Sequence, residues 1–137
     1  MKRVFIDTSA FVALADRDDQ FHSAATQKLS WLRHERLPQV TTNYALVETY
    51  TRLRRLLGLP ATLQFGYGLR RLIQEGRMSV VQIESSLDEA AWEIFHHYAD
   101  QDFSFVDCAS FAWLRQAGEV VVFAFDQHFS WMGFPVI

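Results

Sequence analysis

Cysteine is almost missing from this chain. Cys108 stands alone, so no internal disulfide can form, and the composition suits a reducing compartment. Long apolar runs are missing too. The opening MKRVFIDTSAFVALADRDD has two basic residues followed by apolar ones, but Asp7 ends that stretch directly after Ile6. That is too short for the apolar region of a secretory signal. No run elsewhere approaches the ~18 residues of a membrane span. A soluble, cytoplasmic protein without a membrane partner is therefore expected. Lysine is scarce: of 13 basic residues, only Lys2 and Lys28 are not arginine, which favours forked contacts with anions. No Cys/His group has zinc spacing, and His22, His34, His96, His97 and His128 are scattered, so they read as surface or structural residues. The formal charge of −3 argues against a broadly basic nucleic-acid binder. What the chain does have is apolar mass. Half of its 137 residues are apolar, enough for one domain over residues 1–137 to build a core without covalent staples.

Strand and helix patterns alternate along the chain. Residues 3–6 (RVFI) read as a buried strand, and residues 8–15 as a short helix. The polar run 16–19 is a loop, 21–36 has helical composition, and Pro38 stops it before a strand at 39–41. Leu46, Tyr50, Leu53 and Leu57 recur at helical spacing across residues 43–57. Thr42 or Asn43 can cap that helix, and Gly58-Leu59-Pro60 ends it. Residues 61–75 read as helix despite Gly66 and Gly68, 78–83 as strand, 86–99 as helix, and 104–117 as a helix stopped by Gly118. EVVVFAF, at 119–125, is the clearest strand, and 134–137 can form a short last one. Strands joined by helices pair in parallel through crossover connections, and apolar rather than alternating strands belong to a sheet covered on both faces. An α/β fold is expected, with three α/β/α layers around a parallel sheet of four or five strands.

On that scaffold four acids stand out. Asp7 and Asp126 each follow an apolar strand at its carboxyl end, the edge where such sheets bind ligands. Asp107 sits early in a helix that is apolar on almost every side, where a carboxylate needs a partner. Glu48 lies opposite the leucine stripe of its helix, on the side that carries Arg52 and Arg55. Each has an ordinary structural use: Asp7 as a helix cap, Glu48 paired with Arg52, Asp107 closing a capping box with Ser104, Asp126 opening a turn. One shared site explains all four more economically. An all-oxygen cluster suits a hard cation such as Mg²⁺ or Mn²⁺, and crowded carboxylates call for one. Setting four such acids aside moves the charge from −3 to +1, so the total is compatible with an anionic substrate. A phosphotransfer receiver would need a lysine after a late strand, and a haloacid-dehalogenase-type phosphatase a second Asp where Ser9 stands.

The stretches VFIDTSAFVAL, NYALVETY, DQDFSFVDCASF, VVVFAFDQHF and GFPVI, in this order, resemble the PIN-domain family, and more closely the VapC-type toxins of toxin–antitoxin pairs. The resemblance covers the whole chain. It implies a three-layer α/β/α nuclease that binds Mg²⁺ or Mn²⁺ and cuts RNA, with its four acids at Asp7, Glu48, Asp107 and Asp126 and a supporting hydroxyl at Thr8. It further implies a cognate antitoxin that lays an apolar segment in a groove, and a homodimer. Arg52, Arg54 and Arg55, with Arg70 and Arg71, are candidates to track the RNA backbone. The rival reading is a non-catalytic PIN-like module that binds RNA or protein through a degenerate site, and the intact set of acids speaks against it.

Overall fold

The structure, a computed structural model, describes residues 2–137. Four strands, β1 (Arg3–Ile6), β2 (Gln39–Thr42), β3 (Met78–Val81) and β4 (Val120–Phe123), form one parallel sheet in the order β3-β2-β1-β4. The register pairs Ile6 with Phe123, Phe5 with Val40 and Thr42 with Val81. Successive side chains of a strand face opposite ways, and the core divides accordingly. Val4, Ile6, Val121 and Phe123 pack against α1 (Thr8–Ala15), α2 (His22–His34) and α4 (Leu59–Gln74). Phe5, Val40, Val120 and Val122 pack against α5 (Ser85–His97), α6 (Phe105–Gln116) and α7 (His128–Trp131). The remaining helix, α3 (Asn43–Leu57), follows β2, and Thr42 caps it by accepting from the Ala45 amide at 3.0 Å. This is the expected α/β/α architecture, with four strands.

The last expected strand, 134–137, shrinks to a single parallel bridge between Val136 and Val122. Pro135 lends its carbonyl to the Val122 amide at 2.8 Å but has no N–H with which to extend a ladder. β4 ends two residues before the apolar run does. Phe125 leaves the sheet to stack on Phe21 at 4.7 Å, and its amide donates to the Ser9 hydroxyl at 3.0 Å. The linker between α3 and α4 is Gly58 alone, at φ +84°, a region only glycine enters freely. Gly66 packs under the Tyr50 ring of α3, where a Cβ would lie 3.4 Å from it, at ordinary contact distance. The short α7 is new; four residues carry too little periodicity to be read in sequence. No helix among the described residues is long and apolar enough to cross a membrane.

Candidate active site

The strand order changes direction between β1 and β4: the chain runs from β1 to β2 and β3 on one side, then returns to add β4 on the other. Crevices at such switch points, outside the carboxyl ends of the strands, are where α/β sheets bind ligands. Asp7 leaves β1 there as the N-cap of α1. Its Oδ2 accepts from the Ser9 amide at 3.1 Å and the Ser9 hydroxyl at 2.7 Å. Ser9 Oγ in turn accepts from the Phe125 amide, tying the exit of β1 to the exit of β4. Asp126 follows directly, and its Oδ1 accepts from the His128 amide at 2.8 Å. Asp107 closes a full capping box: its amide donates to Ser104 Oγ, and its Oδ2 accepts from the Ser104 amide, both at 3.0 Å. The structural role available to Asp107 is thus real, and its carboxylate also faces the site. His128 Nδ1 lies 3.1 Å from Asp107 Oδ2 and 3.1 Å from Asp126 Oδ1. Ligand atoms of these three residues fall within 4.8 Å of one another.

A groove of about 850 Å³ opens beside them, lined by Asp107, Asp126 and His128 and, along α3, by Glu48, Arg52 and Arg55. Asp7 is only 3% exposed and does not line the groove; it forms the buried back of the cluster. Burial pushes its carboxyl up from 3.8 to about 7, against the two Ser9 hydrogen bonds, and the charges of Asp107 and Asp126 push the same way. Glu48 is also raised, first by burial, with Asp107 and Asp126 adding to it; the Thr8 hydroxyl and Arg52 pull it back. Asp107 is raised by burial, opposed by the Ser104 amide and His128. Each of these three acids feels at least one other member of the set, so the four form one electrostatic unit. Among the described residues no lysine or arginine makes an ion pair with any of them; the arginine ion pair present is Arg77–Glu75, at the far end of the sheet. Oxygen donors that repel one another, with no lysine or arginine paired to them among the described residues, fit a hard divalent ion.

A PIN-domain model matches residues 4–135. The chain belongs to the PIN-domain family. It is 36% identical over 132 residues to the 23S rRNA-specific endonuclease VapC20 of two Mycobacterium tuberculosis strains, covering 96% of this chain and 95% of theirs. The crystal structure of M. tuberculosis VapC20, described as a toxin that cleaves the sarcin–ricin loop, superposes with a TM-score of 0.81 at 32% identity, over 96% of this chain and 95% of that one. The DNA-bound VapBC of Salmonella typhimurium shares the fold at a TM-score of 0.69 and 11% identity, over 100% and 98% of the two chains.

Within this PIN fold the four acids named from sequence converge, and the other expectations divide. Thr8 is buried, and its hydroxyl donates to the Ala45 carbonyl at 3.3 Å beside Glu48. The hydroxyl that supports Asp7 is that of Ser9. Arg52 and Arg55 border the acids, whereas Arg54 and Arg70 line a separate groove with Tyr67, and Arg71 lies in a third. Asp102, not among the acids named from sequence, is exposed and also lines the acid groove. His128, set aside in sequence as surface or structural, is in the cluster. Its signal was its place two residues after Asp126, close enough for one turn to fold both onto the same point. Its four companions hid that signal because nothing in composition separates it from them.

Proposed function

We propose that this PIN chain is a metal-dependent endoribonuclease, working as one domain over residues 1–137, with Asp7, Glu48, Asp107 and Asp126 as its catalytic set. The observation that carries this reading is the meeting of four carboxylates at the β1/β4 switch point with no lysine or arginine paired to them among the described residues. The donor set fits Mg²⁺ or Mn²⁺. Asp7 and Asp107 would be its principal ligands, and Glu48 and Asp126 would complete the shell directly or through water. When bound, the cation supplies water activation and charge neutralisation at the phosphate.

The chain's own groups do the rest. Arg52 and Arg55 face the groove and hold phosphate oxygens by charge-assisted hydrogen bonds. Glu48, whose burial raises its proton affinity, takes a proton from the attacking water. The side chains nearest the acids are poor covalent nucleophiles. Cys108 is buried with its thiol pushed up to about 11, chiefly by burial. Ser9 already donates to Asp7, and Thr8 to Ala45. With water as the nucleophile, in-line attack on phosphorus expels the 3′-oxygen, which takes up a proton, so hydrolysis leaves a 5′-phosphate and a 3′-hydroxyl.

Kinship with VapC20 supports an RNA loop of the large ribosomal subunit as the first substrate to test. Kinship with VapC20, a toxin, supports a toxin role, and with it we propose a cytoplasmic homodimer held inactive by a cognate antitoxin. The decisive experiment is cleavage of a synthetic sarcin–ricin hairpin with Mg²⁺, Mn²⁺ or EDTA. Asp7→Asn and Asp107→Asn are each expected to lower the rate by about 100-fold or more, as loss of a metal ligand does, with the far-ultraviolet circular dichroism unchanged. Cleavage at the parent rate by both variants rejects the assignment.

A further inference from the structure

We infer that Trp131, backed by Phe103, is a stacking platform for an unpaired nucleobase next to the scissile phosphate. The inference rests on the nuclease reading above and adds how the substrate is gripped.

α7 is anchored at the acids, because His128 at its start bridges Asp107 and Asp126. Phe103, which lines the acid groove, meets the His128 ring edge-on at 5.0 Å. One turn along α7, Trp131 meets Phe103 at 5.8 Å with their planes at 63°, and Tyr98 at 6.0 Å with theirs at 85°. An unbroken line of rings thus runs from the acids to Trp131. The indole is nonetheless 57% exposed, more than it could be if both its faces were covered. Tryptophan carries a large apolar area that soluble proteins normally bury, so an open one continuous with an acid site that cuts a nucleic acid points to a base. Proteins that hold single strands do so by stacking bases on aromatic rings, and sequence-specific RNA recognition targets unpaired loops in this way.

Proximity decides between the open indoles. Trp92, equally open at 56%, is joined to the groove through three further rings, Phe95, Phe105 and Tyr44, whereas Trp131 needs Phe103 alone. Residues 127–133 contain no carboxylate, the exposed Asp100 and Asp102 lie on the segment between Tyr98 and Phe103, and Arg52 and Arg55 on α3 supply the positive charge for the adjoining phosphates.

The test measures binding rather than cutting. The full chain carrying Asp7→Asn is titrated, with Mg²⁺, into fluorescein-labelled single-stranded RNA octamers, one of full sequence and others each with one abasic position. Trp131→Ala in that background is expected to weaken binding of the full octamer about tenfold, as loss of one stacked base does. Trp131→Phe should recover most of it. At one abasic position the Trp131→Ala effect should vanish, because the base it stacks on is already gone. Equal affinity with and without Trp131→Ala overturns the platform, and so does an Ala effect that persists at every abasic position. If Trp131→Ala leaves RNA affinity alone but halves the solution mass by light scattering, a second copy covers the indole and the platform is again rejected. In each of these cases Asp7-dependent cleavage by the parent chain keeps the nuclease reading standing. Absence of both cleavage and octamer binding removes the two together.

Discussion

At the scale of single residues, Asp7 carries the largest electrostatic burden in the molecule. Its carboxyl is raised from 3.8 to about 7 by burial, so the folded chain binds a proton there that the unfolded chain has released. Between about pH 4 and 7 the native state holds more protons, and in the absence of metal this group makes stability fall as pH rises. Below pH 4 both states are protonated and the penalty disappears. Glu48 and Asp107 are shifted in the same direction. Asp7→Asn removes the charge and keeps the cap, so in EDTA its melting temperature should exceed that of the parent at pH 7.5 and by much less at pH 4.5. An equal difference at both values contradicts the assignment. Binding of Mn²⁺ should displace the proton, so its affinity should climb with pH up to about 7, and calorimetry in buffers of different ionisation heat should record proton release. His128 restrains Asp107 and Asp126 together. As a positioning residue it should cost about 10- to 100-fold in Mn²⁺ affinity when changed to Ala, the usual effect of losing a partner that orients ligands.

At the scale of elements, two short pieces of chain decide whether the acids arrive in place. Ser104 starts α6 and holds Asp107 through both arms of the capping box. Ser104→Ala should cost about 1 kcal/mol of stability and lower activity as well, because the carboxylate loses a restraint. A fall in melting temperature with kcat intact would make the cap purely structural. Gly58 is the whole connection between α3 and α4 at φ +84° and ψ 173°, so Gly58→Ala should destabilise by about 1–3 kcal/mol in denaturant titrations. These helices were readable beforehand because their apolar positions repeat and their ends carry capping residues. The Leu46–Leu57 stripe and the box at Ser104 are both evident in sequence. α7 was not, since four residues hold barely one turn of any pattern, and its identity as a helix comes from packing Phe129 into the core. The final strand was overestimated for the converse reason: FPVI is apolar, but Pro135 denies it a donor.

At the scale of the whole molecule, an acidic chain must bind a polyanion. With a formal charge of −3, the function proposed above requires affinity to come from the local field of Arg52 and Arg55 and from a cation at the acids. RNA binding should weaken steeply with salt. The slope of log K against log [salt] should shrink by about 0.7 in Arg52→Ala or Arg55→Ala, one single-strand phosphate contact each, and stay unchanged in Arg54→Ala, which faces the other groove. An equal change in all three would show that the groove does not select among them.

The sequence by itself determined the layer plan and singled out three of the four candidate acids, because both follow from local facts. Apolar periodicity marks each element, and a carboxylate directly after a buried strand (Asp7, Asp126), or within a buried helix (Asp107), is a local anomaly; Glu48, on the arginine-bearing side of α3, joins them through the family resemblance. Strand order was beyond it. Whether β4 adds beside β1 or beside β3 depends on packing between segments more than a hundred residues apart, and only that order joins Asp7 to Asp126 and lets Ser9 accept from Phe125. His128 belongs to the same category: its spacing from Asp126 is local, but its contact with Asp107 exists only because α6 and α7 share one face of the sheet.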